Sequence, residues 1–144
     1  MNKVELAIHK QVRLLFIFVG ISGAFSVLFS AWLAHAGSAL IFDQQRRLVI
    51  AVAMQFIHTL ALVIVLVWLN LTLKNTHMTA SSNKPLYGLL ITAYCFFIGI
   101  LFFSGALYFK TFHLLPFFGK LAPFGGSTLA LSWIMLAIAA QFRK

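Results

Sequence analysis

Long apolar runs separated by short polar connections dominate the pattern along the chain. Four such runs cover residues 14–36, 48–69, 86–109 and 123–142. A helix rises about 1.5 Å per residue, so about 20 apolar residues cross a hydrocarbon layer roughly 30 Å thick. The runs are continuous rather than alternating, which favours helices over the short strands of a membrane barrel. The pattern therefore predicts an all-α integral membrane protein: a four-transmembrane-helix bundle with short loops, forming one domain over residues 1–144.

The segment before the first run has its own helical pattern. Apolar residues recur there on one stripe, with the basic residues off it: Val4, Ile8, Val12 and Leu15. Such a stripe is typical of an interfacial helix that lies on the headgroups. A simple cytoplasmic extension of the first span explains it equally well.

The first run also has features of a signal peptide. Basic residues precede it, and Ala34, His35 and Ala36 fit a small-x-small cleavage site. The apolar part of a signal peptide is only about 7–15 residues long, however, and this run is longer. We therefore expect a retained helix.

Composition and charge agree with a lipid environment. Hydrophobic residues make up 62% of the chain and charged residues 9%, whereas about a quarter of a soluble domain is charged. The net charge of +9 comes from 11 Lys and Arg against two acids, Glu5 and Asp43. The basic residues flank the apolar runs, where they meet anionic headgroups. The predicted partner is thus the lipid bilayer and not nucleic acid.

Cys95 is the single cysteine, so an internal disulfide is excluded.

The distribution of basic residues predicts the orientation. One side would carry both termini and the middle loop, with seven basic residues: Lys3, Lys10, Arg13, Lys74, Lys84, Arg143 and Lys144. The other side would carry four: Arg46, Arg47, Lys110 and Lys120. Because Lys and Arg are enriched in cytoplasmic loops, both termini are expected in the cytoplasm.

Polar side chains within the spans are the candidate functional residues, because such groups are costly in lipid. The predicted intramembrane cluster comprises His35, Gln55, His58, Ser104 and Tyr108. His58 could be a proton relay, a metal or haem ligand, or a headgroup contact. The favoured interpretation is structural, with a neutral imidazole and Gln55 hydrogen-bonded to another helix.

Sequence motifs for catalysis are absent. Both acids lie outside the spans, and there is no GxxxxGK[ST], HExxH or GxGxxG sequence. Bis-histidine haem ligation is disfavoured because His35 and His58 would differ in depth by roughly 15 Å. We therefore expect no catalytic residue, metal or cofactor.

Small residues indicate where helices pack closely. Ser22, Ser26 and Ser30 recur every four residues, and Gly125 and Gly126 open the fourth span. Small residues let neighbouring helices approach in a membrane. We expect the serine stripe on an outer face, where it would contact another copy or another membrane protein.

Several motifs together resemble the YgdD-like family of small, uncharacterised bacterial inner-membrane proteins. They are AWLAH at 31–35, QFIHTLA at 55–61, LFFSGALY at 101–108, and PFGG at 123–126 followed by Trp133. Ser30 and Leu33 stand where that family usually has glycine. The resemblance covers about residues 14–142. It implies a four-span bundle in the inner membrane and supplies no function.

Three functional hypotheses follow. The favoured one is a non-catalytic accessory or assembly subunit of a larger membrane complex, because catalytic motifs are absent and packing residues are present. The alternative is a transporter or small-ligand or lipid-binding protein with a polar intramembrane pocket around His58. An enzyme or redox protein built on the histidines is the least supported.

Overall fold

Four long helices make up most of the computed structural model, which describes residues 3–75, 84–114 and 116–141. They are α1 (Lys3–His35), α2 (Phe42–Asn75), α3 (Lys84–Thr111) and α4 (Ala122–Gln141), with 3₁₀ turns at Ala36–Ala39 and Pro116–Leu121. Each is long and apolar enough to cross a membrane, so the predicted four-helix membrane fold is confirmed. The predicted end of the last span at Phe142 lies outside the described residues.

The centre of the bundle is formed by α2 and α3. Their facing side chains are almost fully buried, among them Leu62, Leu66, Leu69 and Phe96. Most of the length of α1 and of α4 is exposed by comparison. The outer helices therefore flank a central pair, α1 against α2 and α4 against α3.

The N-terminal segment is part of α1 and not a separate helix. Ile8, Val12 and Leu15 are buried in the same apolar core as the facing residues of α2 and α3. Tyr94 on α3 also donates a hydrogen bond to Gln11 Oε1 at 3.1 Å. The structure thus favours a continuous extension of the first span over a helix lying on the headgroups. The physical reason is that α2 and α3 extend far enough to give this stripe an apolar surface to cover.

The turn between α1 and α2 is held by one side chain. Gln45 Nε2 lies 3.0 Å from the carbonyl oxygen of Gly37, 3.1 Å from that of Ser38 and 3.0 Å from that of Leu40. Carbonyl groups at a helix end have no partner within the helix. The two amide hydrogens of Gln45 are shared among these three oxygens, of which that of Gly37 also accepts from the Leu40 N–H, and this contact fixes how α2 leaves the turn.

Close packing of α3 and α4 depends on one glycine. A Cβ atom at Gly125 would fall onto the backbone of Phe102 and Phe103. At Gly126 a Cβ atom would only touch the ring of Phe103, with 3.4 Å to its nearest carbon. The close contact predicted for this glycine pair is therefore made by Gly125.

Candidate functional site

A hydrogen-bonded network centred on Gln55 joins α1, α2 and α3. Tyr108 donates its hydroxyl hydrogen to Gln55 Oε1 at 2.9 Å. Gln55 Nε2 donates to Ser22 Oγ at 3.0 Å and lies 3.3 Å from the Ser22 carbonyl oxygen. The amide of Gln55 therefore links one group on α3 to another on α1. Gln55 is only 7% exposed, so these bonds replace those that water would make.

The serines of α1 lie inside the bundle. Ser22 and Ser26 are buried, at 3% and 2% exposure, while Ser30 is exposed. Ser22 Oγ is 2.8 Å from Thr59 Oγ1 on α2, and Ser26 Oγ donates to the Ser22 carbonyl at 2.9 Å. The expectation of an outward stripe is wrong for Ser22 and Ser26, because their small side chains pack against α2.

Ser104 adds a contact next to the network without joining it directly. Its hydroxyl donates to the carbonyl oxygen of Ala51 at 2.8 Å. Ala51 precedes Gln55 by one turn of α2, and Ser104 precedes Tyr108 by one turn of α3. Two successive turns of α3 are thus bonded to two successive turns of α2.

Aromatic rings cover the outer side of the network. The ring of Tyr108 lies edge-on to those of Phe25 and Phe29, with centroids 5.5 Å and 5.1 Å apart. Edge-to-face rings at this separation attract one another. These contacts hold the ring of Tyr108 against α1, while its hydroxyl bonds Gln55.

His58 lies apart from the network, on the side of α2 that faces α3 and α4. Its Nδ1 is 2.6 Å from the carbonyl oxygen of Met54, and since a carbonyl can only accept, Nδ1 carries the hydrogen. Its ring lies 6.1 Å from those of Phe96 and Trp133. Nε2 makes no hydrogen bond with any residue in the described ranges, although the side chain is only 5% exposed.

The predicted five-residue cluster therefore divides. The structure brings Gln55, Ser104 and Tyr108 together and leaves His58 outside this group, beside Phe96 and Trp133. His35 is exposed at the end of α1, where its carbonyl oxygen accepts a hydrogen bond from Ser38.

As predicted, Gln55 and His58 are both buried in the bundle, and Gln55 bonds other helices. The expectation that the imidazole of His58 bonds another helix is wrong, because its Nδ1 bonds the Met54 carbonyl one turn earlier in α2.

One member of the network was not predicted from the sequence. Thr59 bonds Ser22 and is 2% exposed. It follows Gln55 by four residues, and side chains at that spacing share one face of a helix. This spacing is the feature of the sequence from which Thr59 could have been predicted.

The polar side chains of the network are paired with one another across helices. Every side chain in it is uncharged, and each is bonded to another protein group. The described part of the chain contains no group of three His, Cys, Asp or Glu side chains that could hold a metal ion. In the part of the chain that the structure describes, His58 Nε2 is a buried ring nitrogen without a hydrogen bond to the protein.

Comparison with known proteins places the chain among membrane proteins of unknown function. The family model described as "Protein of unknown function (DUF423)" matches residues 23–126. The chain is similar to UPF0382 membrane protein SAB0533 of Staphylococcus aureus (strain bovine RF122 / ET3-1), with 41% identity over 61 residues. It is also similar to UPF0382 membrane protein YwdK of Bacillus subtilis (strain 168), with 41% identity over 44 residues.

Both alignments are partial. The first covers 42% of this chain and 46% of the relative, and the second 31% and 36%. The chain thus spans less than half the length of the curated relatives it matches. No solved structure matches. The names of these relatives and the four apolar helices confirm a multi-pass membrane protein of an uncharacterised family.

Proposed function

The chain belongs to the DUF423 family, and we propose that it works as a non-catalytic accessory or assembly subunit of a larger membrane complex. The observation that carries this proposal is the network around Gln55. Its polar side chains pair with one another and hold three helices together, so they support a structural role.

The outer helices supply the surfaces for a partner. Leu28 on α1 is 71% exposed and Ile134 on α4 is 57% exposed. Apolar area alone does not drive association in lipid, so close packing against a partner helix must do so. The partner is another membrane protein or a second copy of this chain.

The cellular setting is part of the same proposal. The protein resides in the bacterial inner membrane with both termini in the cytoplasm, which agrees with the distribution of basic residues. The YgdD-like resemblance points to the same membrane. The names of the curated relatives describe them as membrane proteins and give neither the membrane nor the orientation.

Site-specific photo-crosslinking in native membranes tests this role. A photoreactive residue is placed at Leu28 or Ile134, and a matched control is placed at Leu66, which is fully buried. The proposal predicts discrete adducts of higher mass from at least one exposed position and none from Leu66. Absence of adducts from both exposed positions would contradict it.

A second candidate is favoured by His58 Nε2. A buried acceptor without a partner costs about 1–3 kcal/mol, which a bound hydrogen-bond donor would recover. A small-ligand or lipid-binding protein or a transporter would place that donor beside Phe96 and Trp133.

Mass measurement of the purified chain under native conditions tests this candidate. It predicts a bound small molecule that is lost in His58→Phe and kept in His35→Phe, because His35 is exposed at the end of α1. Equal masses of bound material in both variants, or none in the wild type, would exclude it.

A further inference from the structure

A groove of about 450 Å³ lies where α1 ends and α2 begins. It is separate from the Gln55 network and from His58. Ser30, Ala34 and Ser38 line one side, and Val49 is among the residues that line the other. All four are exposed, so the groove opens to the outside of the bundle. Since α1 and α2 cross the membrane, what lies outside is lipid near one membrane surface.

The groove changes from polar to apolar along its length. Ser38 and Gln45 lie at its mouth, beside the turn between the helices. Val49 and Val52 follow Gln45 by one and two turns of α2, and Leu33 lies opposite on α1. Two turns of helix correspond to about 10 Å of depth. A polar end at the turn, followed by an interior that is apolar except for the Ser30 hydroxyl, suits a phospholipid with its headgroup at the turn.

Basic residues outnumber acidic ones among the described residues at this end of the bundle. Four basic residues of the described chain lie at this end of the bundle, where α1 and α3 end and α2 and α4 begin: Arg46, Arg47, Lys110 and Lys120. Asp43 is the one acid described there. Arg46 is exposed and lies one turn before Val49 on the same side of α2. Arg46 therefore leaves α2 next to a residue that lines the groove, and a guanidinium is a strong phosphate-binding group.

An unused hydroxyl lies deeper in the groove. Ser30 makes no hydrogen bond with another residue of the described ranges, whereas the neighbouring Ser26 and Ser38 each bond a backbone carbonyl. A hydroxyl exposed to hydrocarbon needs an acceptor. An ester oxygen of a lipid that enters the groove would supply one.

We propose that this groove binds one anionic phospholipid. One acyl chain lies between α1 and α2 against Leu33, Val49 and Val52, and the headgroup phosphate lies against Arg46. The net negative charge of the lipid complements the excess of basic residues at this end. The bound lipid would lie in a fixed position beside the α1–α2 turn. Gln45 holds that turn in place.

Native mass spectrometry of the full chain with added lipid tests the site. The probes are phosphatidylglycerol, which is anionic, and phosphatidylethanolamine with the same acyl chains, which is zwitterionic. The wild type should retain phosphatidylglycerol about fivefold better, the effect expected of one basic side chain near a membrane surface. Val49→Trp fills the groove and should abolish retention. Ile64→Trp, at an exposed position farther along α2, should not.

Two variants that each remove one positive charge distinguish binding at the groove from general electrostatic attraction to the lipid. Arg46→Gln should remove the preference for phosphatidylglycerol, and Lys74→Gln at the opposite end of α2 should keep it. Helix content by circular dichroism identifies any variant that fails to fold, and Ala34→Leu then replaces Val49→Trp. Equal retention of both lipids by the wild type would overturn the proposal. So would equal loss in Val49→Trp and Ile64→Trp, or in Arg46→Gln and Lys74→Gln.

Discussion

The hydroxyl of Tyr108 on α3 donates to the side-chain oxygen of Gln55 on α2, with 2.9 Å between the two atoms. The nitrogen of the same amide donates to Ser22 on α1. One side chain thus holds three helices in register. Water is absent from the hydrocarbon region, so each of these groups depends on the others for its hydrogen bonds.

The Tyr108–Gln55 bond should contribute measurably to stability. Tyr108→Phe and Gln55→Leu, made singly and together, form a double-mutant cycle that isolates the bond. We expect a coupling free energy of about 0.6 kcal/mol, with an upper limit of about 1.7 kcal/mol, because membrane hydrogen bonds contribute modestly. The measurement is the free energy of unfolding in mixed detergent micelles.

A control for that cycle is Tyr87→Phe with Gln55→Leu. Tyr87 is 44% exposed and lies more than four helical turns before Tyr108 on α3. This pair should show no coupling. A coupling free energy of zero for Tyr108 and Gln55 as well would mean that the bond does not form.

The two glycines of α4 should respond oppositely to alanine. Gly125→Ala places a methyl group against the backbone of Phe102 and Phe103, and overpacking of this kind costs about 1–3 kcal/mol. Gly126→Ala meets only ordinary contact and should be neutral or stabilise the helix by up to about 1 kcal/mol. Thermal unfolding of the two variants checks this. Equal destabilisation would contradict the assigned α3–α4 contact.

The start of α1 should behave as part of the core. Ile8→Ala should lower the free energy of unfolding by about 2 kcal/mol or more, because Ile8 is 4% exposed. Leu6→Ala is the matched control, since Leu6 is 58% exposed, and it should change stability by less than about 0.5 kcal/mol. Similar small effects from both would indicate that this segment lies away from the bundle.

The fold was predictable because the length and continuity of apolar runs are local properties of the sequence. The boundaries of α2 and α3 extend beyond the predicted spans because helix hydrogen bonding continues past the apolar run. The stripe at Ile8 and Val12 was compatible with two environments. The lengths of α2 and α3 determine whether this stripe meets the core of the bundle or the lipid headgroups.

The site was predictable only in part, because helix rotation and helix pairing are not local properties. Gln55 and His58 lie three residues apart and both contact α3, yet only Gln55 bonds α1 and only His58 contacts α4. Positions at that spacing differ by about 60° around the axis. A serine stripe such as Ser22 and Ser26 suits an inner or an outer contact equally. The burial of these serines depends on which helix packs against that face of α1, and the sequence pattern does not specify that helix.

Orientation can be tested with fusions to a reporter enzyme that is active only in the periplasm. A fusion after Lys144 should be inactive, because both termini are predicted in the cytoplasm from the basic residues. A fusion after His113, between α3 and α4, should be active and serves as the control. The reverse pattern of activity would invert the assignment.

The accessory-subunit role is tested most directly by the native mass of the protein released from its own membranes in mild detergent. The chain alone has a mass of 16.1 kDa. The account predicts a larger assembly whose dissociation yields this chain together with another membrane protein or further copies of itself. A species of 16.1 kDa carrying only lipid and detergent, under conditions that keep other membrane complexes intact, would contradict it.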